Sequence, residues 1–156
     1  MDKPTMPDIT ELLFDNLQEE PTLEDALTDA VETCWLNIND LEERGGVIIY
    51  RGEEYQFIPL TNSNTGTPIA PGLFTADRFE YAEKIIPLFK EGWRHYASFH
   101  THPQFPPWPS NIDMNELFPG FPINYIYSGL TDKLFKYTWI NPKNINEGCV
   151  PEEIEL

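Results

Sequence analysis

Apolar positions along the chain fall into runs whose spacing predicts the element types. Ile9, Leu12, Leu13 and Leu17 recur at helical spacing behind Asp8 or Thr10 as a cap, so a short first helix is expected before Pro21. Thr22 starts a second helix, with Asp25 three positions on in a near capping-box arrangement. Leu23, Ala26, Leu27, Ala30, Val31, Cys34 and Trp35 then share one face, the clearest helical stripe in the chain, and that face must be buried. Gly45-Gly46 closes this region. Val47-Ile48-Ile49-Tyr50 is apolar without alternation, which predicts a central strand, and Tyr55 to Leu60 returns as a second after a turn at Arg51 to Glu54. Thr61 to Thr75 is a polar stretch rich in Asn, Thr, Gly and Pro, longer than most connections in compact domains, as lids and binding loops are. Thr75 is placed to cap a third helix over Ala76 to Phe89, with Phe79, Ala82, Ile85 and Ile86 inward and Pro87 weakening the last turn. Tyr96 to Thr101 reads as a strand running into His102-Pro103. After the proline-rich stretch Gln104 to Pro109, Ser110 caps a short helix to about Phe118. Ile123 to Tyr127 and Leu134 to Ile140 form a closing pair of strands around Ser128-Gly129, and the chain from Asn141 is expected to be irregular.

This order predicts an α+β fold, a mixed, mostly antiparallel sheet flanked by helices, or its layered α/β/α variant. With 156 residues the chain suits one domain. Its expected division is an acidic N-terminal segment over 1–21, the folded domain over 22–140 and a C-terminal tail over 141–156. No stretch approaches the roughly 20 apolar residues that span a bilayer, and Met1 to Thr10 has no apolar run of a signal peptide. The default compartment is therefore the cytoplasm, with signal-independent secretion as an effector left open. Cys34 and Cys149 lie far apart and nothing in their placing asks for a disulfide. The formal net charge is −16. The first 45 residues hold 13 acidic residues against Lys3 and Arg44, a balance of −11. Such a field repels nucleic acid and anionic membranes. It is either a solvated face or a docking surface for a basic protein partner.

The candidate chemistry begins at His100-Thr101-His102. Residues i and i+2 of a strand share a face, so both imidazoles can reach one metal, and imidazole suits zinc. Asp113 follows 11 positions after His102, with Ser110 three before it, and the turn between can fold a carboxylate back as a third ligand. Three protein ligands leave a fourth position for water, whose pKa zinc lowers to roughly 7. Glu43, just ahead of the glycine pair, is placed to act as general base. Ser110 and Asp113 also form a helix-capping pair, S-x-x-D; Ser110 can combine both roles, whereas capping and ligation compete for the Asp113 carboxylate. His95 stands five residues before His100, on the opposite face of a regular strand, and is read as structural or surface. Phe105 and Trp108 either line a groove beside the site or pack into the core. H-E-x-x-H, the deaminase signature, the phosphate-binding glycine loop and the serine-nucleophile elbow are all absent.

Glu43-Arg44-Gly45-Gly46 before an apolar strand, then His100-Thr101-His102-Pro103, then Ser110-Asn111-Ile112-Asp113, resembles the JAMM (JAB1/MPN/Mov34) metalloprotease motif. The resemblance runs from about Leu41 to about Trp139. Ala26 to Tyr50 also resembles bacterial JAB-like domains of the DUF4329 type. This likeness implies a JAB/MPN architecture related to the cytidine deaminases, and a zinc-dependent peptidase or isopeptidase. By position His100, His102 and Asp113 would be the Zn2+ ligands, Glu43 the base acting on the zinc-activated water, and Ser110 a donor to the oxyanion. The substrate implied is a protein, ubiquitin-like or bearing a flexible tail. The alternative is a non-catalytic acidic JAB-like binding or effector/immunity module that engages a basic partner protein.

Overall fold

The structure is a computed structural model, and it describes residues 22–36, 42–62, 76–111 and 113–156. The expected first helix, the Thr75 cap and most of the Thr61 to Thr75 loop lie outside the described residues. Helix α1 spans Leu23–Cys34. Thr22 and Asp25 close a full capping box: Thr22 Oγ1 accepts from Asp25 N at 3.1 Å and Asp25 Oδ2 accepts from Thr22 N at 3.0 Å. Six strands follow: β1 Gly45–Arg51, β2 Glu54–Leu60, β3 Arg94–His102, β4 Ile123–Ser128, β5 Lys133–Trp139 and β6 Cys149–Ile154. They form one sheet in the order β2-β1-β3-β4-β5-β6. Every pairing is antiparallel except β3 with β4. A parallel pair needs a long crossover, and residues 103–122 supply it.

Both faces of the sheet are covered, which is why β1 is buried along almost its whole length. On one face Ala26, Leu27, Ala30 and Cys34 of α1 pack against Ile48, Phe57, Ala97, Phe99, Tyr125 and Leu134. Burial pushes the Cys34 thiol up to about 12, so it is an inert core group, and both cysteines are free. On the other face Val47, Ile49 and Leu60 meet Ile85 and Trp93, while Ile126, Tyr137 and Trp139 meet Phe118 of the crossover.

Three expectations are corrected. The helix predicted over Ala76 to Phe89 is two pieces, α2 Arg78–Lys84 and α3 Ile86–Phe89, capped by Asp77, whose carboxylate accepts from Phe79 N and Glu80 N. Pro87 lacks the N–H that would continue the ladder, and the inward face is Tyr81, Ile85 and Leu88 rather than Phe79 or Ile86, which are 81% and 46% exposed. The tail from Asn141 is not irregular throughout: β6 pairs with β5 from Trp139↔Cys149 to Leu134↔Ile154 and closes the sheet edge. His95 does not face away from His100. The β1/β3 register shifts between Ile48↔Ala97 and Ile49↔His95, so Tyr96 is an extra residue. This bulge turns His95 onto the face that carries Val47, Ile49, His100 and His102.

Candidate metal centre

The crossover that a parallel pair demands leaves β3 at its carboxyl end, and there the two histidines stand. His100 and His102 point to one face, with His100 fully buried and His102 nearly so. Their Nε2 atoms are 3.1 Å apart. The crossover returns a single π-helical turn, Asp113–Leu117, whose first residue closes the group: Asp113 Oδ2 lies 3.2 Å from His100 Nε2 and 3.3 Å from His102 Nε2. Ser110 and Asp113 bond reciprocally, Ser110 N donating to Oδ2 at 2.9 Å and Asp113 N to Ser110 Oγ at 3.0 Å. One carboxylate oxygen both accepts from the Ser110 N–H and faces the histidines, and Asp113 Oδ1 is buried with no hydrogen-bond partner among the described residues.

Glu43 reaches the group from the segment before β1. Its carboxylate straddles the pair, Oε1 3.8 Å from His100 Nε2 and Oε2 3.8 Å from His102 Nε2. Its backbone is held from two sides. Asn62 Nδ2 donates to Glu43 O at 2.8 Å. The Thr101 hydroxyl accepts from Arg44 N at 3.1 Å and donates to Arg44 O at 3.3 Å. Gly45 and Gly46 permit this approach: a Cβ on Gly45 would sit 2.2 Å from the Phe99 carbonyl oxygen, and one on Gly46 2.1 Å from that of Ile58. Adjacent Glu42 instead pairs with Arg44 at 3.2 Å.

His102 Nδ1 is 3.0 Å from the Pro106 carbonyl oxygen, which can only accept, so Nδ1 is the donor there and Nε2 is the nitrogen turned to the cluster. Burial alone would push the His100 imidazole down, but Asp113 and then Glu43 outweigh it and hold it above its usual value. Burial would raise the Asp113 carboxyl, yet His100, His102 and the Ser110 N–H hold it well below the carboxylate range. Both shifts describe a pocket that favours positive charge.

A cation fits that pocket. Glu43, His100, His102 and Asp113 each offer an atom within 4.8 Å of the others, and all four are buried. A tetrahedral site with ligand bonds of ~2.0–2.1 Å has edges of about 3.3–3.4 Å, close to the 3.1–3.3 Å among the histidines and Asp113. The orphaned Asp113 oxygen and a donor set of nitrogen and carboxylate fit the same conclusion. Ser110 adjoins the group through Asp113 and is half-buried. Phe105 and Trp108 do not enter the core; they are 62% and 56% exposed on the loop beside His102. His95 stays apart, 2.5 Å from the Tyr81 hydroxyl and packed on Phe89 and Phe121. Sequence reasoning missed the supports Thr101, Asn62 and the Pro106 carbonyl. Thr101 had a signal in its place between the histidines; the other two had none.

Residues 32–140 match the family described as prokaryotic homologs of the JAB domain. No curated protein matches the chain. Among solved structures, the solution structure of a Desulfitobacterium hafniense protein shares the fold, with a TM-score of 0.56 at 23% identity over 86% of this chain and 87% of that one. The solution structure of a Salinibacter ruber protein aligns over 88% of this chain and 89% of that one, at 18% identity and a TM-score of 0.47.

Proposed function

We propose, for a chain that belongs to the prokaryotic homologs of the JAB domain, that it is a zinc-dependent hydrolase of the JAMM type that cuts a peptide or isopeptide bond in a protein substrate. The observation that carries this reading is the convergence of Glu43, His100, His102 and Asp113 in one buried group. Two imidazoles and a carboxylate are a donor set suited to zinc, and three protein ligands with an open position suit a catalytic site. Two carboxylates buried beside two imidazoles also make a pocket that favours a divalent countercharge. Zinc, when bound, supplies Lewis acidity: it polarises the scissile carbonyl and lowers the pKa of a water to roughly 7.

The chain's own residues divide the remaining work. His100, His102 and Asp113 would hold the metal. Glu43, set further out at 3.8 Å from the ring nitrogens, takes the proton from the attacking water and delivers it to the leaving nitrogen. The Ser110 Oγ already accepts from Asp113 N, which leaves its proton to donate to the oxyanion. The test is a pair of variants. Glu43→Ala keeps stoichiometric zinc by elemental analysis and loses turnover by roughly 10²–10⁴-fold, whereas His100→Ala loses both. Equal metal loss in the two overturns the division of roles.

The charge of −16 favours a second reading, a non-catalytic acidic module that binds a basic protein. Metal-free protein that forms a tight complex with a basic partner decides for it. Neither reading calls for nucleic acid or an anionic membrane, and among the described residues no helix is long and apolar enough to cross one.

A further inference from the structure

Three consecutive carbonyls of the loop after β3 are each held by a different side chain. Phe105 O accepts from Ser128 Oγ at 2.5 Å, Pro106 O from His102 Nδ1 at 3.0 Å, and Pro107 O from the Tyr137 hydroxyl. Ser128 ends β4 directly opposite His102 in the parallel pairing, and Tyr137 stands on β5; both are buried. Pro103, Pro106, Pro107 and Pro109 bring no N–H groups, so the loop cannot satisfy its carbonyls by a ladder of its own and depends on side-chain donors. The proline rings also lock φ at 106 and 107. Between the two anchored peptide groups only ψ106 and ψ107 remain free, and these aim the Pro106 oxygen.

We propose that Ser128 and Tyr137 are positioning residues for the metal centre: by pinning the carbonyls on either side of Pro106 they fix the oxygen that orients the His102 ring. The inference rests on the metal-site reading above. The two hydroxyls bond loop carbonyls rather than the four cluster side chains, and Asp113 acts on the Tyr137 hydroxyl through its charge alone. Their effect runs through one hydrogen bond, from His102 Nδ1 to Pro106 O, and partners of this kind set the tautomer and basicity of a ligating imidazole. Ser128 works in both directions, since its Oγ also accepts from Thr131 N at 3.1 Å. Tyr137→Phe is the cleaner probe because it removes the hydroxyl alone.

The test uses the full chain with ¹⁵N-labelled histidine and four variants, Tyr137→Phe, Ser128→Ala, Ser128→Thr and Tyr127→Phe. Tyr127 is the control: its hydroxyl donates to Asp132 at 2.6 Å, in the β4–β5 turn, and not to a loop carbonyl. In metal-free wild type, His102 shows the single Nδ1–H tautomer. Tyr137→Phe and Ser128→Ala show a mixture of tautomers, and their zinc affinity, measured against a competing chelator, falls roughly tenfold to a hundredfold. Ser128→Thr restores both. Tyr127→Phe leaves both at wild-type values whatever it does to the melting temperature. A pure Nδ1–H tautomer in Tyr137→Phe and Ser128→Ala, or an equal change in Tyr127→Phe, overturns the inference. Wild type that takes up no zinc overturns the metal reading instead, and the tautomer of the metal-free variants still decides this one.

Discussion

Thr101 sits between the two histidines with its side chain turned the other way along the chain's logic: it holds Arg44, and through Arg44 it holds Glu43. Thr101→Val keeps the shape and removes both bonds, at a cost of about 1 kcal/mol in stability. We expect kcat to fall with zinc content unchanged, a split read by steady-state kinetics beside metal analysis. His95 makes a separate prediction. Burial holds its imidazole below the usual value, so the unfolded chain, with a pKa near ~6.5, binds its proton first. The stability tied to neutral His95 is present above about pH 6.5 and is lost as pH falls towards the lower folded value. Urea unfolding of wild type against His95→Phe at several pH values should show this loss in wild type alone; parallel curves would contradict it. The histidine pair and Asp113 were legible in the sequence because strand periodicity and the spacing to Ser110 constrain them. Glu43 was legible only through the resemblance to the JAMM motif, which its offset from the glycines fits. The side on which His95 falls was not, because a one-residue bulge at Tyr96 leaves no mark in the pattern.

The elements were legible where one face is consistently apolar, as in α1 and β1, and obscure where pairing rather than propensity makes the element. β6, Cys149-Val150-Pro151-Glu152-Glu153-Ile154, holds a proline and two glutamates and would not be a strand by itself. It is an edge strand, where proline is tolerated, and β5 recruits it. The break between α2 and α3 was half visible in Pro87, but the apolar residues of that stretch fit two helical faces and only packing against Trp93 selects one. β1 offers a sharper test. Gly45→Ala drives a methyl into the Phe99 carbonyl next to His100, so β1 must move away from β3. The expected result is a loss of about 1–3 kcal/mol from overpacking, read by chemical denaturation, with a concurrent loss of zinc. Wild-type stability would show that the strands are not as close as described.

At the scale of the whole molecule, a cation held by the Glu43, His100, His102 and Asp113 group would couple metal binding to folding. A cation that binds the folded chain and not the unfolded one stabilises it by about 2.7 kcal/mol when present at 100 times its dissociation constant. Zinc should therefore raise the melting temperature and a chelator should lower it, with His100→Ala indifferent to both by calorimetry. The parallel join of β3 to β4 has a kinetic consequence as well. The cluster draws on chain from Glu43 to Asp113, and β4 can register beside β3 only after residues 103–122 have looped back. Contacts so distant in sequence are slow to form. During refolding the antiparallel hairpins can zip early, while the cluster matures only once this loop has closed.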